Sequence, residues 1–237
     1  RSKTIPSRSA ANGMQDGLDL IQALAMHPET AKRLARRFWT WFVSETTAAP
    51  EAFVTRIANV YLQTQTDIKS TVRAVLLSPE FKDASCYYKR YSWPAEYVIR
   101  ILKEVGFVGF SVNDAMTPLL NMGQQLYEPP DVNGWELGPG WFSTGGMLAR
   151  MNFASQVATN QKFILRDAAK GARSTPDALT NFAFERLSMA APDSQVFNTL
   201  LDYIRAGGTW TGSDAQLLTK TAGVFHLLTG SGEYQFV

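Results

Sequence analysis

The side chains able to do chemistry gather in one segment, Tyr127-Glu-Pro-Pro-Asp-Val-Asn-Gly-Trp-Glu-Leu-Gly-Pro-Gly-Trp-Phe-Ser-Thr144. Glu128, Asp131 and Glu136 lie within it and Arg150 follows. Two carboxylates suffice for general acid–base work, so a hydrolase or glycan-active enzyme could be built on this set if two of them converge. The same oxygens, with loop carbonyls, could hold calcium, but they lack the alternating acidic spacing of a calcium loop. Trp135 and Trp141 beside flexible glycines could form an apolar wall for a sugar ring, a peptide or a partner helix. Equally, they could be anchors that pin the loop to its scaffold. Asn133 would supply a polar handle, with Gln124, Arg150 and Asn152 at the flanks.

Elsewhere the chemistry is sparse. Nucleophilic catalysis needs a Ser or Cys beside a base, and the chain has His27, His226 and the single thiol Cys86. No local cysteine-protease signature surrounds Cys86. His27, before Pro28, suits a ring nitrogen bonded to backbone, and His226 lies among Val224, Phe225, Leu227 and Leu228 as a half-buried residue. No HExxH, CxxC or HxH spacing is present, nor GxGxxG or GxxxxGK[ST], so neither a metal nor a nucleotide cofactor is expected. One cysteine allows no internal disulfide.

The whole chain sets the context. With 237 residues, 45% hydrophobic and 19% charged, it is long enough and apolar enough to bury a core. A net charge of +2 is too small to argue for nucleic acid by bulk electrostatics. No apolar run approaches the ~18 residues of a transmembrane helix. The opening Arg1-Ser-Lys-Thr-Ile-Pro-Ser-Arg-Ser9 has no apolar h-region and no initiator Met, and reads like a processed end within a longer polypeptide.

The elements that must position the loop read as helices throughout. Asp16–His27 places Leu18, Ile21, Leu24 and Ala25 on one face. After Pro28 comes a stripe of Ala31, Leu34, Ala35, Phe38 and Phe42, flanked by Trp39 and Trp41. Lys32, Arg33, Arg36 and Arg37 stand opposite, as a solvated or internally ion-paired surface. Further helices follow at Pro50–Leu62, after the cap Asp67, from Pro94 to a stop at Gly106, and over Asn113–Met122. Beyond the loop they run near Gly146–Thr159, Pro176–Met189, Asp193–Ala206 and Ser213–Leu228, the last opened by a capping box, Ser213-Asp-Ala-Gln216. No fixed-period repeat is present. The expectation is all-α: an orthogonal bundle of about nine helices with one long ordered Pro/Gly/Trp loop, forming a single domain over 1–237. A soft boundary near 171–175 could set off a small three-helix subdomain, 175–237.

Several segments resemble one family. His27-Pro28-Glu-Thr30-Ala31 with Ala35-Arg36-Arg37-Phe38-Trp39, Val72–Phe81 ending in Ser78-Pro79-Glu80-Phe81, and Pro94-Ala-Glu-Tyr-Val98 are similar to motifs of the DUF1800 family, bacterial proteins of unknown function. So are Met122-Gly123-Gln124 through Pro129-Pro130-Asp131-Val132-Asn133-Gly134-Trp135, then Trp141, Leu148–Asn152, and the closing His226–Leu228 with Glu233-Tyr234-Gln235. Asp131 stands where Asn is common, and Trp93 where the residue before Pro94 is usually small or polar. The resemblance implies a longer protein with a further N-terminal region, an exported, periplasmic or cell-surface setting, and a secreted partner of the DUF1501 kind. It implies no activity, substrate or catalytic residue.

The reading taken forward is a non-enzymatic binding or assembly protein that meets a protein partner or a glycan through loop 127–144. Trp135 and Trp141 would pack or stack. Gln124, Asn133 and Asn152 would hydrogen-bond, and Arg150 would pair with a carboxylate such as Glu128, Asp131 or one on a partner. The alternative is the hydrolase above, using Glu128, Asp131 or Glu136 with Arg150. A third reading makes the loop purely structural, with activity in the N-terminal region.

Overall fold

Helix starts in the computed structural model follow the side chains that signal them. Asp67 accepts from the Ser70 amide at 2.9 Å, Ser213 from the Gln216 amide at 3.3 Å, and the His27 ring from the Glu29 amide at 3.2 Å. The Ser213 box closes on one side only. The Gln216 carboxamide oxygen takes the amides of Thr211 and Gly212 instead, tying down the preceding turn. The structure describes residues 4–109, 111–189 and 193–237, so the first three residues of the polar opening segment lie outside it.

The described residues are helical, with isolated bridges (Tyr91 to Phe236, Asp131 to Gly134) and no strand. Its contacts form two compact units that meet in sequence at Arg90 and Tyr91.

The first unit contains α1 (Met14–Ala25), α2 (Pro28–Phe42), α3 (Glu51–Gln63) and α4 (Ile68–Leu76). α2 lies along α3, and its buried line is Ala31, Ala35 and Trp39, a four-residue step. The expected stripe is therefore rotated. Trp39 meets the Phe53 ring edge-on at 5.0 Å and donates its indole N–H to the Thr47 carbonyl, while Phe42 stays exposed. Glu29 pairs with Lys32 and Glu51 with Arg36 on the basic face. The apolar face of α1 is uncovered: Leu18, Ile21 and Leu24 are all exposed.

The second unit contains α5 (Pro94–Val105), α6 (Val112–Asn121), α7 (Thr144–Asn160), α8 (Lys162–Ala168), α9 (Pro176–Arg186), α10 (Ser194–Arg205) and α11 (Asp214–Thr229). α5 matches its sequence signals throughout, burying Tyr97, Val98, Ile101, Leu102 and Val105 and stopping at Gly106 with φ 79°. α8 was not foreseen. It continues from α7 after Gln161 without Gly or Pro punctuation, and buries only Leu165. One core joins α5, α6 and α7 to the C-terminal helices through Ile101, Leu119, Val157, Leu179, Leu200 and Val224, so nothing separates at 171–175. Each such side chain contributes roughly 1.5–3 kcal/mol by leaving water.

Candidate functional site

The loop begins where α6 ends. Gly123 turns the chain at φ 89°, and Gln124 is carried under it, 5% exposed. Its carboxamide oxygen accepts the Ala95 amide at 2.8 Å, while the Glu96 carboxylate accepts the Trp93 amide at 3.0 Å. Both bonds satisfy backbone donors around the start of α5, which opens with Pro94. Gln124 thus caps another helix.

The chain then leaves the body. Tyr127 has φ 66°, a left-handed conformation that costs a non-glycine residue on the order of 1 kcal/mol, and it is 95% exposed. The Asp131 carboxylate accepts the Asn133 amide at 2.7 Å, and Gly134, at φ 94°, closes the turn by donating its N–H to the Asp131 carbonyl. Val132, at the tip, is fully exposed, Asn133 is exposed, and Trp135 is half-buried below it.

The return limb is a 3-10 helix, Gly138–Phe142. Gly138 is buried with φ 57°, and a Cβ there would come 3.7 Å from the Tyr91 ring. Trp141 is 4% exposed, with its ring 6.0 Å from that of Trp93 and tilted by 44°. Its indole N–H is buried with no hydrogen-bond partner among the described residues. Phe142 stacks edge-on with Tyr91 and Phe236. Ser143 caps α7 through the Gly146 amide.

Beneath this limb lies Arg150, 0% exposed. Its guanidinium donates to the Gln235 side-chain oxygen at 3.0 Å and to the Ser92 carbonyl at 2.7 Å. It sits 4.8 Å from the centre of the Tyr97 ring and 5.0 Å from that of Phe142. The third nitrogen, Nε, has no partner among the described residues. Burial pulls the guanidinium down to about 10, partly offset by Tyr97 and Glu96, so it stays charged at neutral pH. Tyr97 is held in turn: its hydroxyl donates to the carbonyls of Thr229 at 2.9 Å and Arg150 at 3.1 Å, and burial pushes its pKa well up. Gln235 is fixed from its other end, donating to the Ser231 carbonyl at 2.8 Å and the Thr229 carbonyl at 3.3 Å.

A neighbouring buried cluster fastens the end of the chain. Tyr234 donates to Glu104 at 2.5 Å, and Arg100 pairs with Glu104 at 3.2 Å while lying 4.0 Å over the Tyr234 ring. Arg100 also donates to the carbonyls of Leu187 and Phe236. Burial raises the Glu104 carboxyl above its ordinary range.

The six expected contact residues therefore divide. Gln124, Trp141 and Arg150 are internal; Asn133 and Trp135 belong to the projecting limb; Asn152 lies exposed on α7. The expected pairing of Arg150 with Glu128 or Asp131 is corrected. Among the described residues no carboxylate lies within ion-pair distance of it, and carbonyl oxygens and rings hold it instead. Glu128 accepts from the Gln125 side chain, Asp131 serves its own turn, and Glu136 packs against Gly140. The residues missed from the sequence were Ser92, Tyr97, Phe142 and Gln235. Tyr97 carried a signal, since a tyrosine on the buried stripe of a helix needs a partner for its hydroxyl.

Among the described residues no group of three His, Cys, Asp or Glu is placed to hold a metal ion, and no helix is long and apolar enough to cross a membrane. Fold and site together define an all-helical protein whose Pro/Gly/Trp loop stands on a buried arginine held by carbonyl oxygens and aromatic rings. Its sequence matches the family model described as a protein of unknown function, DUF1800, over residues 1–236, and the chain belongs to that family. Neither a curated protein nor a solved structure matches it.

Proposed function

We propose that this is a non-enzymatic binding protein that docks a protein partner through the tip of the loop, Tyr127 to Trp135. The observation that carries the reading is the contrast between tip and base. Tyr127 and Val132 are left in full contact with water, Tyr127 in a strained conformation, while the base below is locked by Trp141, Arg150 and Gln124. Strained, solvent-facing side chains on a rigid support are what a preorganised contact surface requires, because little ordering entropy remains to be lost on binding. A glycan platform has less support, since burial of Trp141 removes half of the expected aromatic wall. The hydrolase reading has none from Arg150, whose donors point to Gln235 and Ser92.

The setting we propose is extracytoplasmic, with a secreted partner of the DUF1501 kind as the first candidate. The test uses the protein as bait in extracts of its own organism, against a variant carrying Tyr127→Ser and Val132→Asp. The variant should melt within a degree or two of wild type, since Tyr127 and Val132 contribute no burial, and should lose the co-purifying protein. The same captured protein in equal yield on both baits refutes the reading.

A further inference from the structure

Away from the loop, α6 and α7 enclose an open groove of about 810 Å³, also bordered by Leu102, Phe107 and the start of α8. Its walls are unusual in composition. Asn113, Thr117 and Asn121 line it from α6, and Asn152, Gln156 and Asn160 from α7. Each set steps by four residues, so each forms a ridge inclined roughly 26° to its helix axis. All of these residues are exposed, and among the described residues none of their side chains makes a hydrogen bond. Between the rows the floor is apolar, with Phe153, Val157 and Ala149.

Two further features concern what could lie there. Among the described residues Asp114 is the one charged residue lining the groove, and its carboxylate is engaged as the cap on the Ser111 amide at 2.9 Å. Pro118, inside α6, has no N–H, so the Asp114 carbonyl lacks its donor four residues on, along the same wall.

We propose that this groove binds an extended, uncharged stretch of polypeptide by its main chain. A carboxamide presents a donor and an acceptor together, which is the pattern a peptide backbone offers in return. Four helical residues rise about 6.0 Å and two extended residues about 6.6 Å, so a row of three amides stays nearly in register with every second residue of a strand. Side chains of one parity would then rest on the apolar floor. Among the described residues the groove offers an anionic polymer no cation and a cationic one only the capping carboxylate of Asp114, while its rings, Phe107 and Phe153, are half-buried and buried and give an oligosaccharide little to stack on. The site uses none of the loop-tip residues, and its test is independent of theirs.

The experiment follows the side-chain NH₂ resonances of the ¹⁵N-labelled chain during titration with an acetylated, amidated octapeptide of alternating serine and valine. Signals of Asn113, Asn121, Asn152, Gln156 and Asn160 should move together. A peptide N-methylated at alternate residues should fail to move them, because it keeps the side chains and loses backbone donors. Gln156→Leu, exposed on α7, should weaken binding about tenfold, or about 1.4 kcal/mol, with the melting temperature unchanged. No movement at millimolar peptide overturns the proposal, as does equal binding of the N-methylated peptide. Movement with a cello-oligosaccharide but not with the peptide overturns it in favour of a glycan site.

Discussion

Replacing Arg150 by methionine tests whether the buried guanidinium holds the loop base or burdens it. Methionine has similar length and no charge, so it removes the hydrogen bonds to Gln235 and Ser92 and the contacts with Tyr97 and Phe142 without opening a large cavity. Two effects oppose each other. Desolvating an arginine with no carboxylate partner is costly, and methionine avoids that cost, as when buried ions are replaced by apolar residues. Against this, hydrogen bonds to a charged group are worth roughly 1.5–3 kcal/mol each, and each abandoned oxygen costs on the order of 1–3 kcal/mol. Gln235 cannot turn away to repair the loss, because its NH₂ is fixed on the Ser231 and Thr229 carbonyls. Ser92 is tied as well, its N–H donating to the Gln235 carbonyl at 2.8 Å. The losses should win by about 3 kcal/mol, a fall in melting temperature of roughly 6–12 °C for a chain of this size. Arg150→Lys should also destabilise, since one ammonium cannot reproduce the two-pronged contact between flanking rings. Thermal melts followed by circular dichroism decide it. A methionine variant that melts at or above wild type would show that the charge is a net cost and would refute the arginine's role as the fastening of the loop.

Two further outcomes follow from the same packing. Gly223 lies in α11 where a Cβ would fall 1.7 Å from the Tyr203 hydroxyl, so Gly223→Ala should destabilise by about 1–3 kcal/mol, although alanine is the better helix former by about 1 kcal/mol. Adding Tyr203→Ala should make the alanine at 223 harmless, and urea titration of the four proteins measures the coupling; a stabilising single variant would contradict the clash. Glu104 has its carboxyl raised above 4.5 by burial, so the folded chain holds that proton more tightly than the unfolded one between pH 4.5 and the raised value. Its contribution to stability therefore grows as pH falls through that window, and Glu104→Gln should flatten the rise; urea midpoints with the same pH slope in both proteins would exclude it.

How much of this was legible in the sequence depends on which partner a residue needs. Caps and stops are local. Asp67, Ser213 and Gly106 act within a turn of themselves, and they could be read without knowing the fold. Apolar periodicity is half local: it marks a face but not what covers it. In α2 the covering helix α3 selected Trp39 over Phe42, and in α1 a clear apolar face remains uncovered. Arg150 lies at the far limit. Nothing in Leu148-Ala-Arg-Met-Asn152 marks the arginine for burial, because the oxygens that receive it are 58 and 85 residues distant in the chain. The one trace in the sequence is that motif residues stand at 93–98, 122–152 and 233–235, as separate signatures. In the fold they are one cluster, in which Gln124 meets Ala95, Arg150 meets Gln235, and Tyr97 meets Thr229.

That convergence changes where function should be sought. A residue that caps a helix or seats a buried charge is explained by the fold, and Gln124, Trp141 and Arg150 are so explained. Tyr127 and Val132 are not: each exposes a large apolar side chain, and Tyr127 does so at a conformational cost. The amide rows of α6 and α7 are likewise unexplained, since exposed asparagine is a weaker helix former than alanine or lysine and these side chains bond to nothing among the described residues. Side chains the fold does not need, held on elements it fixes firmly, are where the proposed contacts are to be tested.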